Sequence, residues 1–390
     1  MKKRKVCVVV YSRANYGRIK SFMQAVKESK VLELQVIIGA SALLSRFGEV
    51  INVIKKDGFK PNAVIYSIVE GENPVTMAKS AGLATVELAT HLENLKPDVV
   101  LTVADRYETI STAIAASYMN IVVAHTQGGE VSGSIDENVR HAITKLSHIH
   151  FPATKRAKEF LLKMGEQKSS VFLTGCPSFD IINKKNLKIT NQILEKYKGV
   201  GANLDCTKPY VVCLQHPVTT EFGSGLSQIN ETLFAVKKVS IDKNFNVIWL
   251  WPNIDAGSDD ISKGIRKFRE KFNPKNIHFY RNFSPEDYLS LIFNSKCLIG
   301  NSSSGIRECS YLGIPVVNIG SRQENRERSN NVIDVGYDRS EIEQALLKQL
   351  RKKSKYKPVK LYGDGSAGKK MVKILEKINL SNKKKLNYIK

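Results

Sequence analysis

The sequence predicts an α/β protein made of two Rossmann-like, doubly wound parallel-sheet domains that face each other across a cleft. Short runs rich in Val and Ile alternate with amphipathic segments up to about residue 175, and the alternation restarts after a polar stretch at 181–208. Strands that are apolar at nearly every position are buried on both faces, which is typical of parallel sheets covered by helices. A length of 390 residues suits two such domains.

The first half of the chain accounts for one sheet and its helices. The predicted strands are 5–10, 32–40, 63–68, 98–103, 120–127, 148–153 and 170–175. The predicted helices are 18–29, 74–95, 106–118, 136–147 and 154–164. The glycine and proline of GCPSFD (175–180) punctuate the end of this set. We therefore expect an N-terminal domain over residues 1–178.

The second half repeats the pattern. Its predicted strands are 210–216, 246–253, 277–283, 296–302 and 315–320. Its predicted helices are 226–241, 258–272, 285–294, 305–312 and 339–353. We expect a C-terminal domain over 179–362. A last segment, 363–390, begins with the turn-rich YGDG, continues as a helix at about 366–380 and ends in a Lys/Asn-rich tail.

Composition excludes several classes of protein. The net charge is +23, but the densest basic runs lack interleaved aromatic residues, so we expect no nucleic-acid partner and instead a small anionic ligand. Because apolar runs stay well short of 18 residues and the N-terminus has no signal-peptide pattern, we expect no membrane association. Six scattered cysteines without a C-x-x-C pair predict free thiols in the cytoplasm.

Two glycine patterns bear on cofactors. GDGSAGK (363–369) formally resembles a phosphate-binding P-loop, but Lys370 replaces the Ser or Thr that binds magnesium and no strand precedes it. A glycine turn before the last helix is the better interpretation. The G-x-G-x-x-G spacing of nicotinamide-binding proteins occurs once, in this same turn (GDGSAG, 363–368), and no predicted strand precedes it as a dinucleotide site requires. The sequence therefore predicts no cofactor and no metal.

IGNSSSGIRE (299–308) is a stronger candidate for binding an anion. It runs from a predicted strand through a turn with three serines and Gly305 into a predicted helix. Backbone N–H groups at a helix start and serine hydroxyls suit a phosphate or diphosphate. Glu308, one turn further on, is placed to accept hydrogen bonds from ribose hydroxyls. An ordinary serine-capped helix with a solvated glutamate fits this stretch equally well.

Three further loops follow predicted strands and should face the same cleft, because ligands of such sheets bind at the carboxyl ends of strands. They are YSRANYGR (11–18), ADRYE (104–108) and LQHPVTT (214–220). Arg13, the Asp105–Arg106 pair and His216 are the groups in them that can hold an anion or move a proton. A satisfied buried histidine and a surface ion pair are the alternatives.

HTQGGEVSGSIDENVRHAITKL (125–146) places titratable groups beside paired glycines. Glu130 and Asp136 are candidate acid–base groups. Gln127 ends a predicted strand, yet an amide cannot take up a proton at neutral pH. We expect it to face the cleft and position a ligand, with Gly128 and Gly129 allowing close approach of the backbone.

Together these motifs resemble the hydrolysing UDP-N-acetylglucosamine 2-epimerases, which supply N-acetylmannosamine for sialic acid synthesis. The resemblance runs in order through YSRANYGR, ADRYE, HTQGGEVSGSIDENVRHAITKLSH, LTGCPSFD, LQHPVTT, WPNIDAGS, IGNSSSGIRE, IGSRQ and LYGDG. It implies a glycosyltransferase-B-like arrangement whose C-terminal helix crosses back to the first domain. It also implies UDP and sugar contacts by Arg13, Arg106, Asn253, Ser302, Ser303, Gly305, Glu308 and Arg322.

The resemblance also implies catalytic roles. Asp105 and Asp136 match acid–base positions of the family, and His216 lies near the diphosphate and sugar. The family's other catalytic carboxylate falls on Gln127, where this sequence departs from the pattern. The proton transfers then fall to Asp136 and Asp105, with Glu130 in reserve.

The predicted function is conversion of UDP-N-acetylglucosamine and water to N-acetylmannosamine and UDP, by elimination to a 2-acetamidoglucal and rehydration, in a homo-oligomer (dimer or tetramer). Gln127 favours one alternative, the same reaction on a UDP- or GDP-linked 2,4-diacetamido-6-deoxy sugar of the legionaminic acid route. A non-hydrolysing epimerase and a non-catalytic nucleotide-sugar sensor are the others. The presence of Asp105, Asp136 and His216 argues against the sensor.

Overall fold

The computed structural model describes residues 2–182 and 187–387 and contains two sheets. The strands described in the first are β1 (Arg4–Val10), β2 (Leu32–Gly39), β3 (Ala63–Ile65), β4 (Val99–Val103), β5 (Val122–Thr126) and β6 (Ile149–Phe151). Their order is β3-β2-β1-β4-β5-β6, and the neighbours pair in parallel. β1 and β4 therefore end side by side in the middle of this sheet.

Helices cover both faces of the first sheet, because its strands are apolar on both sides. They are α1 (Arg13–Glu28), α2 (Val50–Lys56), α3 (Pro74–Leu95), α4 (Thr109–Tyr118), α5 (Asp136–Leu146), α6 (Lys155–Lys163) and α7 (Ser178–Ile182). One core packs Val8 and Leu101 against Phe22 of α1. The other packs Val9 and Val100 against Leu88 of α3.

Two expectations for this half differ from the structure. The segment 170–175 is not a strand, and Val171 forms only an isolated bridge with His150. Pro152, the next possible partner, has no N–H to donate to a ladder. Helix α1 begins at Arg13 rather than 18, because the Ser12 hydroxyl caps it by accepting from the N–H of Asn15 at 3.2 Å.

The strands described in the second sheet are β7 (Gly199–Gly201), β8 (Tyr210–Leu214), β9 (Asn246–Leu250), β10 (Ile277–Tyr280), β11 (Leu298–Gly300), β12 (Val316–Ile319) and β13 (Val332–Val335). Their order is β13-β12-β11-β8-β9-β10-β7, parallel except for the edge strand β7. The helices are α8 (Asn191–Glu195), α9 (Gly225–Asp242), α10 (Ser258–Phe272), α11 (Pro285–Asn294), α12 (Ser303–Ile306), α13 (Glu308–Leu312), α14 (Arg339–Leu350) and α15 (Ala367–Lys377).

The second half also departs from expectation in two places. The edge strands β7 and β13 were not predicted, because short and partly exposed strands leave little apolar pattern. The helix predicted at 305–312 is divided into α12 and α13 at Arg307, whose backbone (φ −97°, ψ −72°) is right-handed but departs by about 30° from ideal helix angles. The break places Glu308 at the start of its own helix.

The last helix, α15, returns to the first sheet. Its Met371 and Leu375 are buried in the same core as Phe22. Asp180 of α7 accepts from the N–H groups of Ala367 and Gly368 at 2.9 and 2.7 Å, which satisfies two donors at the helix start. The exact division into 1–178, 179–362 and 363–390 stays a prediction, and the last residues of the predicted tail, 388–390, lie outside the described residues.

The architecture confirms the predicted fold class, two Rossmann-like parallel-sheet domains with their carboxyl ends turned toward one cleft. Within residues 2–182 and 187–387, no helix combines the length and apolarity needed to cross a membrane.

Candidate active site

A cavity lies between the two sheets, where the loops after β1 and β4 meet those after β8, β9, β11 and β12. It contains most of the side chains that the sequence singled out. The predicted residues that line it are Arg13, Asp105, Arg106, Asp136, His216, Asn253, Ser302, Ser303, Glu308 and Arg322. Residues far apart in the chain are therefore brought together, as the positions of the strand ends require.

Several residues that line the cavity were not predicted from the sequence. Among them are four that carry polar groups, namely Arg18, Ser178, Tyr288 and Arg326. Arg18 lies on the second turn of α1, so it points to the cleft only because Ser12 starts the helix early. Its Nη2 donates to Ser303 Oγ at 2.8 Å, across the cleft. Arg18 could have been predicted as a cleft residue if Ser12 had been recognised in the sequence as the N-cap of α1.

The serine turn lines the second-sheet side of the cavity with hydroxyl groups of the kind that can bind an anion. Ser302 caps the turn by accepting from the N–H of Ser304, and Ser304 Oγ lies 2.6 Å from the Tyr288 hydroxyl. Arg13 reaches over from α1 and donates to Asn282 Oδ1 at 2.9 Å. Gly305 does not line the cavity. It packs against β12, where an added Cβ would lie 3.0 Å from Val316 Cγ1, so its role is close packing of the turn.

Glu308 lines the cavity with one oxygen already held. Ser178 Oγ donates to Glu308 Oε1 at 2.9 Å, which links the first half of the chain to the second. The carboxylate is 9% exposed, so a hydroxyl-bearing ligand would meet an oriented acceptor. This geometry fits the predicted ribose contact, which stays a prediction.

Asp105 is surrounded by arginines. Arg140 donates to its Oδ2, and Arg18 and Arg326 each approach one of its oxygens to 3.7 Å. Burial alone would raise the pKa of Asp105, but Arg140, Arg18 and Arg326 outweigh it and hold that pKa far below its usual value. A carboxylate that stays ionised at neutral pH is a poor proton donor, so the surroundings of Asp105 favour an electrostatic contribution, and its predicted acid–base role stays a prediction.

Asp136, the first residue of α5, is the opposite case. Its nearest cation is Arg322, whose Nη2 lies 3.8 Å from Oδ2. Burial and the neighbouring Asp105 carboxylate raise the pKa of Asp136 to about 6, against a smaller effect of Arg322. A carboxylate with a pKa near neutrality combines ionisation at pH 7 with appreciable basicity, as general base catalysis requires.

His216 enters the cavity as a neutral ring. Its Nδ1 accepts from the N–H of Asn253 at 3.1 Å, so in the neutral ring the proton resides on Nε2. Burial, followed by Arg322, Arg13 and Arg106, lowers the pKa of His216 well below its usual value. The ring is therefore a hydrogen-bond donor to a ligand oxygen rather than a proton acid at neutral pH.

Gln127 and Glu130 lie outside the residues that line this cavity, which corrects the expectation that they face the cleft. The left-handed backbone of Gln127 (φ 62°) turns its amide toward Cys176 Sγ, 3.5 Å away. Both Glu130 carboxylate oxygens accept from Arg307 Nη1 at 2.8 Å. Gly129 permits close approach to α6 rather than to a ligand, since an added Cβ would lie 2.2 Å from the Ala157 carbonyl.

We expect Gln127→Ala to lower stability and to leave UDP binding unchanged. The side chain is 1% exposed, so truncation leaves a void without touching the cavity. A loss of about 1–3 kcal/mol in the free energy of unfolding is typical of such changes. Chemical denaturation and calorimetric titration of UDP measure the two effects. A tenfold weaker UDP affinity with unchanged stability would contradict the placement of Gln127 behind the cavity.

The structure is that of an α/β protein with a cleft in which serines and arginines lie beside Asp136, a carboxyl group with a raised pKa. Among known protein families, a model described as UDP-N-acetylglucosamine 2-epimerase matches residues 24–376. The chain belongs to this epimerase family, which confirms the family resemblance seen in its motifs.

Two individual relatives and one solved structure are similar to the chain over most of its length. The chain is 33% identical over 377 residues to the hydrolysing UDP-N,N'-diacetylbacillosamine 2-epimerase of Legionella pneumophila, with 97% of each chain covered. It is 33% identical over 335 residues to the hydrolysing GDP/UDP-N,N'-diacetylbacillosamine 2-epimerase of Campylobacter jejuni, covering 86% of this chain and 85% of that one. The crystal structure of UDP-GlcNAc 2-epimerase from Neisseria meningitidis bound to UDP-GlcNAc has the same fold (TM-score 0.78, 20% identity, 96% of this chain and 100% of that chain).

Proposed function

We propose that the protein is a hydrolysing 2-epimerase of a UDP-linked 2,4-diacetamido-6-deoxy sugar, releasing UDP and the free sugar inverted at C2. The observation that carries this proposal is the 33% identity, over 97% of both chains, to the Legionella enzyme that acts on UDP-N,N'-diacetylbacillosamine. The second relative, with the same sugar in its name, supports the same substrate class.

Departure of UDP comes first in this mechanism. The C2 proton of a pyranose becomes acidic only as the bond from C1 to the phosphate oxygen breaks and positive charge builds on the ring. Arg13, Arg18, Arg322 and the serine turn carry the groups that would stabilise the departing diphosphate. The Nε2–H of His216 is a further donor aimed into the cavity.

Asp136 then takes the proton from C2. The electron pair of the C–H bond forms the C1–C2 double bond of a glycal as the C1–O bond pair leaves with UDP. Water adds across this double bond, its hydroxyl going to C1 and a proton to C2 from the face opposite the one deprotonated. The sum is UDP-sugar plus water giving UDP plus the C2 epimer, with no electron acceptor needed.

UDP-N-acetylglucosamine is the second candidate substrate. It is the sugar nucleotide in the description of the family and the ligand bound in the Neisseria structure, which lies at only 20% identity. The two candidates share the UDP, the acetamido group at C2 and the chemistry, and they differ only at C4 and C6. The choice between them therefore leaves the assignment of Asp136 and the anion-binding residues unaffected.

We expect the UDP-linked 2,4-diacetamido-6-deoxy sugar to be consumed fastest in a panel that includes UDP-N-acetylglucosamine and the GDP-linked diacetamido sugar. In D₂O the released sugar should carry deuterium at C2, because the proton that Asp136 removes exchanges with solvent, and UDP should form stoichiometrically. Mass spectrometry and NMR read out both. A product that keeps its C2 hydrogen would exclude the glycal route, and an epimer still attached to UDP would exclude hydrolysis.

A further inference from the structure

Asp255, the aspartate of the WPNIDAGS motif, lies outside the cavity lining at a junction between the two halves of the molecule. It lies between β9 and α10 and is 7% exposed. Its Oδ1 is 2.9 Å from Nη1 of Arg106, in the loop after β4. Its Oδ2 is 3.8 Å from Nη2 of Arg322, in the loop after β12. One buried carboxylate thus contacts two arginines that line the cavity from opposite sides.

Arg322 is held between two carboxylates. Its Nη2 lies 3.8 Å from Asp136 Oδ2 and equally 3.8 Å from Asp255 Oδ2. Its Nη1 donates to the Asn301 carbonyl at 3.3 Å, which ties the guanidinium to the second sheet. At 3.8 Å Arg322 makes a charge contact with both carboxylates and a tight ion pair with neither. The position of Arg322 therefore depends on its attraction to both carboxylates.

We propose that Asp255 is a positioning residue that holds Arg322 away from Asp136 and so keeps the Asp136 carboxylate available as a proton acceptor. This inference rests on the proposed function, in which Asp136 is the base. Without the charge of Asp255, Arg322 is drawn to Asp136, and a close guanidinium makes a carboxylate less basic. Arg106 loses its 2.9 Å partner in the same change and keeps Glu108, 3.0 Å from its Nε.

The charges that face Asp136 make the direction of the effect clear. Asp105 and Asp255 raise its pKa, and Arg322 and Arg106 lower it. Arg140, one turn further along α5, is neutralised by Asp105 and Glu137. Removing Asp255 deletes one raising charge and lets Arg322 approach, so both consequences lower the pKa of Asp136 from its value of about 6.

The test is the pH dependence of kcat/KM for Asp255→Asn, with release of UDP from the sugar nucleotide that the wild type turns over fastest. We expect the acid limb to move to lower pH by roughly one unit, with lower turnover at neutral pH because the base is weaker. Asp255→Glu, which keeps the charge, should restore the limb toward that of the wild type. Asp242→Asn, which neutralises an exposed carboxylate at the end of α9, is the matched control. It should change neither the acid limb nor the turnover at neutral pH.

A double-mutant cycle with Arg322→Gln separates positioning from a general structural effect. If Asp255 acts through Arg322, the shift caused by Asp255→Asn is smaller in the Arg322→Gln background. An Asp255→Asn protein that folds and keeps the wild-type limb would overturn the inference. If Asp255→Asn does not fold, Asp255→Ala takes its place in the same cycle, with the same expected shift to lower pH and the same outcome that would overturn the inference. A wild type without turnover on any sugar nucleotide would instead reject the proposed function itself.

Discussion

Asp136→Asn is expected to lower kcat by about 10²–10⁴-fold, the usual contribution of a general base, while UDP binds as tightly as to the wild type. The amide has nearly the shape of the carboxylate, so the cavity keeps its shape, and Arg322, which loses one of its two charge partners, stays tied to the second sheet by its bond to the Asn301 carbonyl. What is lost is the group that accepts the C2 proton. Steady-state release of UDP measures kcat, and calorimetric titration of UDP measures binding.

The pH profile of the wild type provides an independent check on Asp136. Because the pKa of this carboxyl is raised to about 6, the base is protonated below that pH, and kcat/KM should fall as pH decreases through about 6. The residual activity of Asp136→Asn should lack this limb. A limb of the same midpoint in the variant would assign it to another group and remove Asp136 from the role of base.

Asp105→Asn is expected to destabilise the protein by about 3–5 kcal/mol, because it removes the carboxylate shared by three arginines, of which Arg140 and Arg326 are buried. Arg140 is fully buried and Arg326 is 5% exposed, so neither can turn to solvent. The pKa of Asp105 is depressed by these arginines, so its contribution is present above the unfolded-state pKa of about 3.9 and is lost as pH falls below it. The stability difference between wild type and variant should therefore shrink below about pH 4.

Chemical denaturation at pH 7 and at about pH 3 tests this expectation. The matched control is Asp98→Asn at the other end of β4, where the side chain is exposed and accepts from the N–H of Lys5 at 2.7 Å. An asparagine there keeps the acceptor, so the change should stay within about 0.5 kcal/mol. If Asp105→Asn were as mild as Asp98→Asn, the arginine cluster would not need its charge, and the electrostatic role given to Asp105 would be wrong.

The two aspartates show where sequence reasoning reached its limit. Both were predicted as acid–base groups from their loops and from the family resemblance, and both line the cavity. Their opposite pKa shifts follow from side chains that are distant in the chain. Asp105 contacts Arg18, Arg140 and Arg326, whereas Asp136 shares one arginine, Arg322, with Asp255. The order of residues along the chain does not show how many arginines lie near a given carboxylate in the folded protein.

For Gln127, the sequence did not correctly predict the direction in which the side chain points. The sequence correctly predicted that Gln127 lies at the end of a buried strand. If the side chains of β5 continued to alternate between the two faces of the sheet, that of Gln127 would be free to face the cleft. The left-handed backbone at this residue turns the amide to Cys176 instead. A positive φ at a residue other than glycine is uncommon, and nothing in the residue type announces it.

By itself, the sequence determined most of the strands and helices in their order, the two parallel sheets, the family, and ten of the residues that line the cavity. It could do so because strands buried on both faces must be apolar, and because parallel strands bring their carboxyl ends, with the polar loops that follow, to one edge of a sheet. The tertiary structure alone decided that Asp136 has a raised pKa, that Asp105 is paired with several arginines and that Glu130 lies outside the cavity lining. Those properties depend on burial and on charges within about 4 Å of each carboxylate, and such neighbours come from segments that only the folded chain brings together.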